Sequence, residues 1–284
     1  MRHLLTTAVT FVVAVTALLG VRSSRAADAH LSPNGPRLDL SGYELTFEDT
    51  FAKPDIVARG PFSQHAPGMR WTAHTPWSGD FGDARFTDPG PGGPFSFSSE
   101  GLSITATKGD DGTWSSGLIC SVDRDGPGQQ GFSQRYGYFE MRAKLPEGPG
   151  TWPAFWLVGV DKSAGSAEVD VLEYYGKFPA GFHTVLHLWK DKGGFKDEHI
   201  VDVPSGSLTS EFHDYGVLMG PERIRFFLDR VQYLEVPTPP AFRQPMYVLA
   251  NLALGGGWPI EGLVSPAVMR IAHIRVYRDR KDIP

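Results

Sequence analysis

Glu168-Val169-Asp170-Val171-Leu172-Glu173, followed by Tyr174-Tyr175-Gly176, is the stretch on which the reading of this chain turns. Three acids fall within six residues, and the spacers are apolar and partly β-branched. β-Branched residues favour a pleated, half-buried surface, so the segment reads as a strand. Strand side chains alternate with period two, which puts Glu168 and Asp170 on one face and Val169 and Val171 on the other, toward a core. Strict alternation would send Glu173 in with the valines, where an unpaired carboxylate is costly. One extra residue, a β-bulge at Val171-Leu172, returns Glu173 to the face of Glu168 and Asp170. The expectation is three carboxylates in a row on one open face.

The flanking segments also read as strands. Residues 136–145 alternate Phe139, Met141, Ala143 and Leu145 against Tyr138, Glu140, Arg142 and Lys144. Pro146-Glu147-Gly148-Pro149-Gly150 then forces a turn. Residues 151–158 place Trp152, Ala154, Trp156 and Val158 opposite Phe155 and Leu157, and residues 182–189 group His183, Val185, His187 and Trp189. A hairpin is expected over 223–236, and long late strands over 246–254 and 270–277. Residues 52–95 are loop-rich and give no clear pattern. Gly (33) and Pro (23) are frequent and no window holds a helical period, so the chain reads as an all-β sandwich. Two strands offering Trp beside a strand offering acids suggest a polysaccharide cleft, because an aromatic ring covers the apolar C–H face of a pyranose without taking its hydroxyl hydrogen bonds. Plain core packing is the competing role for any one Trp. Trp258, after three glycines, is placed in a loop roofing one end; Trp71, Trp77 and Trp114 are left open between loop platforms and core.

The chain has 284 residues, enough for one large β domain, read as 41–284 behind a lead-in at 27–40. Residues 1–26 begin Met1-Arg2-His3, run apolar from Leu4 to Val21, and end at Ser24-Arg25-Ala26. They read as a secretory signal peptide, with an uncleaved anchor as the alternative. The expected location is secreted or periplasmic, with no membrane association after cleavage. Cleavage removes three arginines and no acid, taking the formal charge from −5 to −8. That balance disfavours nucleic acid as a partner. The single cysteine, Cys120, allows no intramolecular disulfide and reads as a core residue. A monomer is expected.

These segments together resemble glycoside hydrolase family 16, the laminarinase-like β-glucanase group. The matching pieces run in order from Leu45 to Tyr277: Leu45-Thr46-Phe47-Glu48-Asp49-Thr50-Phe51, Arg135-Tyr136-Gly137-Tyr138-Phe139-Glu140, Thr151-Trp152-Pro153-Ala154-Phe155-Trp156-Leu157, the acid strand, residues 183–187, Phe212-His213-Asp214-Tyr215, Asn251-Leu252-Ala253-Leu254-Gly255-Gly256 and Arg275-Val276-Tyr277. The E-x-D-x-x-E spacing is that of laminarinases and agarases, one residue longer than in lichenases. The resemblance implies a β-jelly-roll sandwich of two antiparallel sheets with a concave substrate cleft, and retaining hydrolysis of an internal β-glycosidic bond. By motif position it implies Glu168 as nucleophile, Asp170 as the assisting residue and Glu173 as acid/base. Trp152, Trp156, His187, Trp189, Asn251 and Trp258 are the expected substrate-binding residues, with His187 near the acid/base. No cofactor is expected. Many relatives hold a structural calcium, but the corresponding positions here are Thr50 and Ala272, so its absence is expected. Where relatives carry Asp-Gly at a hairpin tip this chain has Asp229-Arg230, so a different turn type is expected.

The chemistry is consistent on its own terms. Retaining hydrolysis needs two carboxyl groups about 5–5.5 Å apart. The two Glu Cα atoms lie on the order of 13 Å apart along a bulged strand, and both side chains are long enough to lean inward. Charge on Glu168 and Asp170 would raise Glu173 so that it acts as an acid. A calcium site is a poor alternative for strand carboxylates without carbonyl-bearing loops, and His183 with His187 is a weak zinc pair. The expected substrate is a β-1,3- or β-1,3/1,4-glucan or a bacterial exopolysaccharide. Transglycosylation at the same site, an agar-type galactan substrate and a non-catalytic carbohydrate-binding protein are the alternatives.

Overall fold

The computed structural model describes residues 30–282. Residues 1–26, read above as a signal peptide, lie outside the described residues. Twelve strands matter for the site: β1 (His30–Leu31), β2 (Tyr43–Asp49), β3 (Gly137–Lys144), β4 (Thr151–Gly159), β5 (Ser166–Glu173), β6 (Gly181–Trp189), β7 (Phe195–Asp202), β8 (His213–Met219), β9 (Arg223–Leu228), β10 (Val231–Pro237), β11 (Met246–Leu254) and β12 (Ala267–Asp279). The described residues form two ten-stranded sheets stacked as a jelly-roll sandwich. One sheet has the central order β1-β7-β6-β5-β4-β11; the other runs β10-β9-β8-β3-β12. β5 therefore lies mid-sheet, with β4 on one side and β6 on the other.

The sheets are antiparallel except at three short pairings, which amends the expectation. β1 joins β7 in parallel, Ile56–Val57 joins Trp71–Ala73, and Ala84–Phe86 joins Trp114–Ser116. Each is two or three residues long and is reached by a loop instead of a tight hairpin, so strand direction is not dictated by a turn.

Alternation explains the core. Phe139, Met141 and Ala143 of β3 meet Phe155 and Leu157 of β4, Val169 and Val171 of β5, and Val248, Ala250 and Leu252 of β11 between the sheets. The outer face of the first sheet carries a second cluster that includes Ala154, Trp156, Val158, Tyr247 and Leu249. Residues from the loop-rich 52–95 stretch cover part of that face, with Trp77 and Phe81 packed on it. Trp71 and Trp114 belong to the inter-sheet core, while Trp77 belongs to the cleft side. Cys120 is fully buried, and burial pushes its thiol far above the ordinary range.

The β9–β10 hairpin departs from expectation in an informative way. Asp229 and Arg230 have φ of 51° and 61°, the left-handed pair that a two-residue type I′ tip requires. The turn type is thus kept without glycine. Arg230 is held there by two hydrogen bonds, Nε and Nη2 each donating at 2.8 Å to the fully buried Glu140 carboxylate. Asp229 accepts from the Asp214 backbone N–H at 2.9 Å and pairs with His213 at 2.7 Å. Thr50 and Ala272 do share a surface pocket, together with Glu100 and Arg142. One carboxylate beside a guanidinium is a poor fit for calcium.

Candidate active site

The bulge in β5 sits where alternation demands it. On the β4 side Trp156 pairs with Asp170 and Phe155 with Leu172, leaving Val171 over. On the β6 side Asp170 pairs with Val185 and Glu173 with His183. Val171 and Leu172 are both fully buried in the inter-sheet core. Two consecutive residues therefore point inward, and Glu173 turns back to the outer face. Glu168, Asp170 and Glu173 all line one cavity of about 400 Å³, with Trp77, Phe81, Trp152, Trp156, His187, Trp189 and Asn251 in its walls.

Each acid has its own surroundings. Burial pushes Glu168 up to about 7; hydrogen bonding from Trp189 and the charge of Lys162 oppose that rise, while Glu173 adds to it. Asp170 is enclosed more fully, and burial, then Glu168 and Glu173, push it well above the usual carboxylate range. Repulsion between the acids adds to the rise at these two residues, but desolvation leads. Both directions favour a proton shared between Glu168 and Asp170. A protonated Asp170 lets Glu168 ionise beside it. Glu173 Oε1 accepts from Trp152 Nε1 at 3.0 Å. Burial and the nearby Glu173 carboxylate raise the Tyr175 hydroxyl above its ordinary range.

Most of the expected binding residues converge on this cavity, but several do so in other roles. Trp156 is only 5% exposed and donates from Nε1 to Asn251 Oδ1 at 2.9 Å. Trp77 and Phe81 pack edge-on against it, so Trp156 is the floor of the cavity more than a free platform. Asn251 is fully buried and acts through Trp156. Trp152 is engaged with the acid/base candidate. His187 lies opposite Glu168, and its Nε2 is 3.7 Å from Asp170 Oδ2, so it neighbours the nucleophile candidate and not the acid/base. Burial and nearby Lys196 lower it to about 4, which leaves the ring neutral. Trp189 stacks on it at 4.5 Å and is 55% exposed. Trp258 is not in this cavity. It lies in a neighbouring pocket beyond Tyr175, because Gly255-Gly256-Gly257 carry the loop past the Trp152 and Tyr175 rings. Gly256 has φ 63°, and a Cβ there would meet the Trp152 ring at 2.7 Å.

Sequence reasoning missed Tyr175, Phe81 and the Glu198 network. Tyr175 has the parity of Glu173, two residues on, which was a usable signal. Glu198 lies on β7, joining His183 Nδ1 at 2.9 Å and Lys196 Nζ at 2.6 Å. His183 is thus tied to a carboxylate and does not form a zinc pair with His187. Oxygens of Glu168 and Asp170 and a nitrogen of His187 lie within 4.8 Å of one another, a donor set that could hold an ion.

The model of glycosyl hydrolases family 16 matches residues 92–263, which include the whole acid strand. The chain belongs to glycosyl hydrolase family 16. The endo-1,3-1,4-beta-glycanase EglC of Rhizobium meliloti is 35% identical over 196 residues, 65% of this chain and 39% of that protein. The beta-glucanase of Rhodothermus marinus is 33% identical over 174 residues, 51% of this chain and 58% of that one. The chain thus spans about two fifths to three fifths of the length of these relatives. Among solved structures, the laminarinase from Rhodothermus marinus superposes with a TM-score of 0.67 at 25% identity, covering 83% of this chain and 97% of that one. Family 16 membership fits a bulged acid strand mid-sheet in an open jelly roll.

Proposed function

We propose that this protein is an exported, retaining, endo-acting β-glucanase that cleaves internal bonds of a β-1,3- or mixed β-1,3/1,4-glucan. The observation that carries the reading is the bulge at Val171-Leu172, which puts Glu168 and Glu173 into one aromatic-walled cavity. Glu168 attacks the anomeric carbon as the leaving oxygen takes a proton from Glu173. Glu173 then removes a proton from water, which releases the glycosyl group from Glu168. Asp170 holds a proton beside Glu168 and limits the charge stacked in the cluster. Trp189 and Trp77 supply apolar faces for sugar rings. The names of the curated relatives support a glucan substrate. The apolar run at 4–21 supports export, and the absence of a disulfide framework is compensated by the extensive core.

Glucans of defined linkage, assayed with wild type, Glu168→Gln and Glu173→Gln, test the reading. Both variants are expected to lose at least a thousandfold in kcat/KM while keeping the wild-type melting temperature within a few degrees. Hydrolysis undiminished in a folded Glu168→Gln protein would remove the nucleophile assignment. Proton NMR of the first product should show retention at the anomeric carbon.

A further inference from the structure

The bulge that aims Glu173 rests on two hydroxyls inside the apolar core. On the β6 side the register jumps from the Asp170–Val185 pair to the Glu173–His183 pair. Thr184 is the one β6 residue between them, so it alone faces Val171 and Leu172, one residue against two. It is fully buried, and alternation puts it on the core face with Phe182 and Leu186. Its Oγ1 donates to the Asp170 carbonyl at 2.7 Å. The second hydroxyl comes from the other sheet. Tyr233 of β10 packs edge-on against Phe182 at 5.9 Å, and its hydroxyl lies 3.5 Å from the Val171 carbonyl. Two consecutive carbonyls of the bulge therefore meet hydroxyls on the core side, among neighbours that are otherwise apolar.

We infer that Thr184, braced by Tyr233, is a positioning residue for the acids: it locks the bulge in the register that brings Glu168 and Glu173 into one cavity. The inference rests on the glucanase reading for the roles of these two acids. The carbonyl directions at Asp170 and Val171 fix the backbone between the two glutamates, and a slip of one residue would turn Glu173 into the core. A buried carbonyl takes a partner, and threonine supplies one from a side chain stiff at χ1. Neither Thr184 nor Tyr233 lines the acid cavity, so both act through the backbone of β5 and not on substrate. The Tyr233 contact also ties the acid strand to the β9–β10 hairpin of the opposite sheet.

The test compares two variants of the full chain on one β-1,3-glucan. Thr184→Val keeps the branched shape and removes the donor; Thr184→Ser keeps the hydroxyl. Thr184→Val is expected to lose about ten- to hundredfold in kcat with KM within about twofold, the scale of a small misplacement of reacting groups. Thr184→Ser should stay within about threefold of wild type. Amide hydrogen exchange, read by mass spectrometry, should rise in Thr184→Val over residues 169–174 and not across the neighbouring strands. Tyr233→Phe keeps the ring and should show the same local rise with a smaller loss in kcat. It carries the test if Thr184→Val does not fold. Wild-type kcat in a folded Thr184→Val protein overturns the proposal, as do equal losses in the Val and Ser variants. Unchanged exchange over 169–174 in whichever variants fold also overturns it. Wild type that turns over no glucan removes the hydrolase reading instead, and the exchange measurement then decides the lock by itself.

Discussion

Lys162 is the cation closest in influence to the nucleophile candidate. It bonds Asp125 at 2.9 Å and Ser166 Oγ at 3.1 Å, two residues before Glu168 on the same face. Burial lowers its own pKa, but its charge still favours ionised Glu168. As the proposed nucleophile Glu168 would attack only when ionised, so the acid limb of kcat/KM against pH should fall off below about 7. Lys162→Met removes a charge that favours the carboxylate, so that limb should move to higher pH. An unmoved limb in a folded variant would show that Lys162 only braces the loop. Trp152→Phe tests a neighbouring contact: it removes the donor to Glu173 Oε1 but keeps the ring. The expected loss is about ten- to hundredfold in kcat with KM little changed, read from initial rates on one glucan.

At the scale of the element, the β5 bulge can be tested by arithmetic. Deleting Val171 leaves Glu168, Asp170 and Glu173 at alternate positions and keeps Tyr174 inward, so every later residue retains its face. That deletion should give a folded protein with a cooperative melt, destabilised by about 2–4 kcal/mol through the lost core side chain. An unfolded product would mean that the bulge is needed for folding as well as for aim. The β9–β10 tip makes a separate prediction. Arg230→Gly relaxes the left-handed backbone but strands Glu140 in the core, and the second effect should win by about 2–4 kcal/mol in urea unfolding. Burial would raise Glu140, but the two hydrogen bonds from Arg230, with its charge, outweigh it and hold it at about 2. A carboxylate lowered in the folded state stabilises above its unfolded pKa. This contribution is therefore full above about pH 4.5 and is lost as pH falls toward 2. The bulge was legible in the sequence because burying Glu173 has a cost that no other register avoids. The Arg230 turn was not, because its partner Glu140 is 90 residues away in sequence and meets it only across sheet neighbours.

Across the whole molecule, the sandwich was readable from alternation in β3, β4, β5 and β6, whose periods are long and regular. Residues 52–95 were not, since their strands are two to four residues long and their direction is set by tertiary contacts. The same limit hid which Trp faces the cleft: parity gave the face of Trp156 but not that Trp77 and Phe81 lie over it. Cys120 offers a measure of global integrity. Its burial in the outer-face cluster should keep it inert to thiol reagents under native conditions, with labelling at the rate of major opening. Rapid labelling at low denaturant would show that this part of the sheet opens locally. Trp189 carries a consequence of another kind. Of seven tryptophans it alone is exposed, and it lies against both His187 and Glu168. The molecule therefore contains its own optical reporter: red-shifted, quencher-accessible emission should come chiefly from this one indole, and shielding of it from iodide would register occupancy of the cleft in real time without any label.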